Sequence, residues 1–285
     1  MRRLRYAVTV LSCLLAGVLA ACGAPPGDRP RGPGGGPQAP PVSVQVDPVE
    51  LIGVWAVEDP SGADQGVLRL SPADFDWWSE CGRIWGTWKA NPAGMWVGYG
   101  FASSGPGCDP GTPDWMARAV AFRPAPEGVN LIDVDGEVTA RLRPGATPPP
   151  DPDLAPSEAT PPEVTDEVRE RYAPPADLPS GLVPADSAAL IGRWRPADRG
   201  GARVFVQLEH DGSWHGSDGC NREGGRWVAG PDGLLLAVQG ISTLIGCDNV
   251  PVGGWLVQAA RAGLDGDDLV LVDRSGAEIA RLRAG

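Results

Sequence analysis

His210 and His215 are the only imidazoles in this chain of 285 residues, and Glu209, Asp211 and Asp218 stand close to them in sequence. Those are the donor types of a weak metal site or of general acid–base chemistry. Their spacing argues against both. Five residues across an Asp211-Gly212 turn do not place two imidazoles on a common face, and a hairpin tip is ordinarily just solvated. Asp265, Asp267 and Asp268 have the oxygen chemistry of a calcium loop, but Leu264-Asp265-Gly266-Asp267-Asp268 is too short for EF-hand spacing and reads as a plain turn. The sequence holds no Gly-x-Ser-x-Gly elbow, phosphate-binding loop or His-Glu-x-x-His zinc motif. The expectation is a protein that is not an enzyme and has no metal and no cofactor, with catalysis by His210 and His215 as an outlying alternative.

Tryptophan is the other unusual chemistry: 11 residues, of which seven fall between Trp55 and Trp115. Trp55, Trp88 and Trp115 have counterparts later in the chain and read as core. Trp77, Trp78, Trp85 and Trp96 do not, so they are candidate binding residues, since aromatics with a polar handle commonly anchor recognition surfaces. In a strand the adjacent Trp77 and Trp78 point to opposite faces.

The elements that position these residues sit in an exported chain. Arg2, Arg3 and Arg5 precede an uncharged run from Tyr6 to Ala21, too short for a spanning helix and followed by Gly and Pro, as in a signal peptide. It ends in Leu19-Ala20-Ala21-Cys22, which resembles the bacterial lipobox; that resemblance implies cleavage before Cys22 and lipidation of its sulfur. From Gly23 to Pro41 the chain is too poor in large apolar residues to offset its ordering entropy and reads as a tether. The net charge of −12 opposes attraction to phosphate backbones, which excludes nucleic acid as a partner. Lys89 is the sole lysine beside 23 arginines, which looks like the codon bias of a GC-rich genome.

The remainder is one unit written twice. Leu51-Ile52-Gly53-Val54-Trp55 recurs as Leu190-Ile191-Gly192-Arg193-Trp194 at an offset of 139 residues, and the same offset carries Asp47 to Asp186, Cys81 to Cys220, Gly86 to Gly225 and Trp88 to Trp227. One inserted residue later, an offset of 140 pairs Trp115 with Trp255, Asp133 with Asp273, Gly136 with Gly276 and Arg141-Leu142-Arg143 with Arg281-Leu282-Arg283. In an oxidising compartment the four cysteines of the repeats are expected as disulfides, and the repeat selects Cys81–Cys108 and Cys220–Cys247. Each repeat reads as short strands: Asp47 and Asp186 as caps, a strand at Ala202 to Leu208, others at Gly225 to Val228 and Leu234 to Val238, a helix from about Gly253 to Ala262, and a last hairpin from Leu269 to Arg283.

The second repeat resembles the META-domain (HslJ-like) family through Gly192-Arg193-Trp194, Gly216 to Arg222 with Gly219-Cys220-Asn221, Gly224-Gly225, Ser242-Thr243 and the final strand pair. The resemblance implies a compact, mainly antiparallel β fold with a packed helix, no agreed catalysis, and a role in envelope stress or drug tolerance. The first repeat is a diverged copy, with Trp77 to Gly82 in place of the Gly-Cys-Asn segment. Asn221 beside a cystine suits bonds to local backbone better than ligand contact.

The fold class expected is mainly β, two tandem small antiparallel β-barrel-like or curved-sheet domains, each with one packed α-helix. The divisions are a lipoprotein signal peptide at 1–21, lipidated Cys22 and tether at 22–45, a diverged META-like domain at 46–145, a Pro-rich acidic linker at 146–184 and a META domain at 185–285. Within the linker, Pro162 to Tyr172 reads as a solvated, fraying helix. The expected setting is the extracytoplasmic face of a cell membrane, held by the lipid anchor. The expected role is non-catalytic, through an envelope protein or small ligand, by a monomer. The alternative is a surface inhibitor or carbohydrate-binding module using the extra tryptophans.

Overall fold

The computed structural model describes residues 35–41, 45–62, 65–80, 82–103, 111–150, 160–198, 201, 203–243 and 245–285. The signal segment, Cys22, Cys81 and Cys108 lie outside the described residues, and with them the lipidation site and the first expected disulfide.

Asp47 opens the first repeat. Its carboxylate accepts the N–H of Val49 at 2.9 Å and caps the 3-10 turn Pro48–Leu51, whose first residue, a proline, has no N–H to satisfy. Eight strands follow: β1 (Gly53–Glu58), β2 (Gln65–Leu70), β3 (Asp74–Ser79), β4 (Gly82–Ala90), β5 (Trp96–Ser103), then α1 (Asp114–Arg118), β6 (Ala121–Ala125), β7 (Gly128–Ile132) and β8 (Val138–Pro144). All pair antiparallel with their chain neighbours except across α1, and β8 returns to pair with β1. The remaining gap is closed by a single bridge, Met95 to Ala121, flanked by bonds from Trp96 N to Val120 O (2.9 Å) and Phe122 N to Gly94 O (2.8 Å). The result is an up-and-down meander curled on itself.

After the first repeat come α2 (Asp166–Tyr172) and the short β9 (Val183–Pro184). The second repeat then retraces the first through α3 (Ser187–Leu190), β10 (Gly192–Pro196), β11 (Val204–Leu208), β12 (Ser213–Asp218), β13 (Arg222–Ala229), β14 (Leu235–Gln239), α4 (Val252–Gln258), β15 (Arg261–Asp265), β16 (Asp268–Val272) and β17 (Glu278–Ala284). β17 pairs back with β10, and a bridge from Leu234 to Arg261 joins β14 to β15. The duplication extends to single bonds. Trp55 Nε1 donates to Leu51 O and Trp194 Nε1 to Leu190 O, both at 2.8 Å. Asp186 caps α3 as Asp47 caps its turn, and Gly86 and Gly225 each lie where a Cβ would collide with a carbonyl of the next strand, Tyr99 O or Val238 O.

The fold is therefore mainly β, with two tandem curled antiparallel sheets, the first carrying α1 and the second α3 and α4. Three local expectations are corrected. The helix expected to run to Ala262 stops at Gln258, because Arg261 to Leu264 pair with Leu269 to Val272 as strand and leave a Gly at 263 that suits either reading. The tether is not free to its end: Ala39 is buried, Ala39 N donates to Ala229 O and Ala229 N to Pro37 O, and Gln38 caps α3 through Ser187 N. Finally, α2 is docked, not solvated. Thr165 caps it, and Val168 and Tyr172 are buried in the first repeat's core.

Each barrel has its own apolar centre. A third cluster belongs to both, with Met95, Val97 and Ile132 of the first repeat against Val228, Leu236 and Val238 of the second. Arg226 crosses the same seam to the carbonyl of Ala117. Among the described residues, no helix is long and apolar enough to cross a membrane.

Candidate functional site

His210 and His215 lie exposed at the β11–β12 hairpin, as their spacing implies. His215 Nδ1 is 3.6 Å from Glu209 Oε1, and its ring meets Phe205 edge-on at 6.0 Å. Asp211 is committed to the turn itself: its carboxylate accepts the N–H and hydroxyl of Ser213 at 2.8 and 2.6 Å, the hydroxyl bond being the main cause of its lowered pKa. Asp265 and Asp268 face Arg281, with Asp265 at 2.7 Å, so two of the three clustered acids are balanced by arginine.

Asp218, Cys220, Asn221 and Thr243 converge on one small polar core in the second repeat. Cys220 is joined to Cys247, the pairing the repeat selects. Asn221 uses every hydrogen-bonding position of its amide: Nδ2 donates to Asp218 Oδ2 and Ile245 O, and Oδ1 accepts from Thr243 Oγ1 (2.8 Å) and Ile245 N (2.7 Å). Asp218 in turn accepts from Cys220 N, Asn221 N and Asn249 Nδ2. Burial by itself would raise the Asp218 pKa, but the bonds from Asn221, Cys220 and Asn249 outweigh it and hold the carboxyl at about 2. Every partner is local, so the cluster pins Thr243, Ile245 and Asn249 to the end of β12 and leaves Asn221 nothing to offer a ligand. At the offset of 139 residues the first repeat has Ser79 and Gly82 instead of Asp218 and Asn221, and cannot build it.

The extra tryptophans divide by face, as alternation requires. Trp77 and Trp96 are core: Trp77 packs edge-on against Trp115 at 5.9 Å and Trp96 stacks on Trp88 at 5.1 Å. As binding residues these two are corrected, because their rings have almost no accessible surface. Trp78, on the opposite face, is buried as well and is likewise corrected as a binding residue; it and the half-buried Trp85 flank Arg83, whose guanidinium is 5.7 and 5.6 Å from the two rings and bonded to Asp76 at 2.6 Å. A planar cation therefore already occupies the stacking faces there.

The best-formed concavity is one the sequence did not announce. Between the barrels, under α2 and the start of the following loop, lies a cavity of about 550 Å³. That is within the range of small-molecule sites, about 300–1,000 Å³. β4 supplies one wall, with Trp88 and Lys89; β14 supplies another, with Leu236 and Val238; the end of α4 and Tyr172 of α2 close it. Tyr172 stacks on Trp88 at 5.8 Å and donates its hydroxyl to Pro72 O at 2.8 Å, which fixes the roof. The outward face of β4 spans the gap: Thr87 Oγ1 donates to Gln239 O at 3.1 Å, and Lys89 Nζ donates to the carbonyl of Val257, in the last turn of α4 where a cation is favoured.

Lys89 is the distinctive group. It lies deep between the barrels, and what surface it keeps faces the cavity; burial pulls its ammonium pKa from 10.5 to about 8. Among the described residues, no carboxylate pairs with it. Among the described residues the lining contains three basic side chains, Lys89, Arg171 and Arg274, and no acidic one, in a chain where acids outnumber bases 36 to 24. The one sequence signal was that Lys89 is the sole lysine. Its setting depends on contacts 168 residues away and leaves no local pattern.

No family model, no curated protein and no solved structure matches the chain.

Proposed function

We propose that the protein is an exported, lipid-anchored binding protein of two META-like domains that acts by holding a small molecule at the seam of the domains, not by transforming one. The cavity with a lone ammonium in an apolar wall carries the binding part of this reading. Export and anchoring rest on Arg2 to Cys22, and the envelope-stress setting on the resemblance around Gly219-Cys220-Asn221. His210 and His215, exposed on a hairpin, lend nothing to a catalytic reading. The carbohydrate reading finds little support, since Trp77, Trp78 and Trp96 are buried and Arg83 lies over Trp85.

Native mass spectrometry of the protein released gently from its own membrane fraction tests the proposal. The expected result is a stoichiometric small-molecule adduct in the wild type that is lost in Ala73→Trp, a substitution at an exposed position on the cavity wall. Adduct-free wild-type protein, or an adduct indifferent to Ala73→Trp, contradicts it.

A further inference from the structure

We infer that the occupant of the inter-barrel cavity is an amphipathic monoanion, its carboxylate or similar head on the Lys89 ammonium and its apolar body along the partly exposed Pro72, Pro175 and Val257. This rests on the reading of the cavity as a binding site and adds the class of ligand.

Charge gives the sign. An ammonium out of bulk water is costly unless an anion faces it, and among the described residues Lys89 has only the neutral carbonyl of Val257. An ammonium carries three donors, so two remain for a ligand oxygen. Arg171 and Arg274, exposed at the rim, add the same sign: Arg274 is bonded to the carbonyls of Glu170 (3.1 Å) and Ala173 (2.7 Å), which leaves its charge unneutralised, and Arg171 has Glu167 at 3.5 Å on its outer side. A cation-lined entrance on a protein of net charge −12 concentrates anions at that one place. The wall gives the rest of the ligand. Besides the three cations, Asn91, Thr87 and Tyr172 of the lining are committed, Asn91 to Ala93, Met95 and the Met95 sulfur, Thr87 to Gln239 O and Tyr172 to Pro72, which leaves the amides of Gln239 and Gln258 as the neutral polar side chains of the described lining. A highly hydroxylated ligand would find few partners, whereas an alkyl or aryl body would displace water from apolar surface.

The test uses decanoate and its neutral counterpart decanol, titrated into the purified full chain and into Lys89→Met and Ala73→Trp, by calorimetry and tryptophan emission. The expected result is decanoate binding at least tenfold more tightly than decanol in the wild type, Lys89→Met removing most of that preference while leaving decanol within twofold, and Ala73→Trp weakening both. If both probes bind equally and Lys89→Met changes neither, the anion inference is overturned while the cavity stands as a site. If neither probe binds, or Ala73→Trp leaves both untouched, the site itself is refuted. Should Lys89→Met fail to fold, the comparison of decanoate with decanol in the wild type decides alone.

Discussion

An ammonium held between two barrels destabilises a fold unless something gains from it, and Lys89 makes that cost measurable. Arg171 and Arg274 face the same cavity with like charge, and Tyr172, the other titratable group of its lining, stays neutral because burial raises its pKa. Below pH 8 Lys89 is protonated in both the folded and unfolded chain and the penalty stands in full; between about 8 and 10.5 the folded chain releases its proton first and the penalty fades. Lys89→Met is therefore expected to raise the melting temperature of the ligand-free protein at pH 7, by ~2–4 °C for each 1 kcal/mol gained, and to raise it less at pH 10. An unchanged or lowered melting temperature at pH 7 speaks against the burial described. Asp218 has the opposite sign. Its depressed pKa stabilises the fold above the ordinary carboxyl range, and the contribution disappears as the pH falls through about 2. Asp218→Asn is expected to cost about 1.5–3 kcal/mol in urea unfolding at pH 7, with the difference closing toward pH 2; a constant difference across that range contradicts the assignment. At this scale the sequence was readable where partners are near. Asn221 has its bonds within 24 residues, whereas Lys89 meets a carbonyl 168 residues on.

Among the elements, strands declared themselves by alternation, as in Val204, Val206 and Leu208, which face one core. β12 did not, because Gly216 interrupts its apolar face where a Cβ would strike the carbonyl of Phe205. The segment Ala259 to Ala262 is short and apolar enough to suit helix or strand, and only pairing with β16 decides. The case with most consequence is α2. Seven residues in a Pro-rich stretch make a helix too short to persist alone, so its persistence depends on Val168 and Tyr172 entering the first barrel. Tyr172→Ala is expected to destabilise the protein by roughly 3 kcal/mol and Tyr172→Phe by roughly 1 kcal/mol. Hydrogen exchange at Asp166–Tyr172 is expected to be slow in the wild type and fast in Tyr172→Ala; fast exchange in the wild type means that the helix is not docked.

On the scale of the whole molecule, duplication was plain from the offsets, but the packing of the copies was not. The seam uses residues that look like ordinary strand positions, Met95 and Val97 against Val228 and Val238, and a linker segment with few apolar side chains. Arg261 and Arg274 complete it by gripping the carbonyls of Ala176, Glu170 and Ala173, turning the spacer into a strap between barrels. Copies that share a core cluster should melt together, so calorimetry is expected to show one transition, with two resolved transitions as the contrary result. The cavity exists only because of that seam, and its ammonium is uniquely observable. With isotope-labelled lysine the protein gives a single side-chain ammonium signal by NMR. That signal is expected to titrate near pH 8 and to move on addition of decanoate, with its pKa rising as the anion binds. A signal that titrates near 10.5 and ignores decanoate would contradict both the buried setting of Lys89 and its role as the anion receptor.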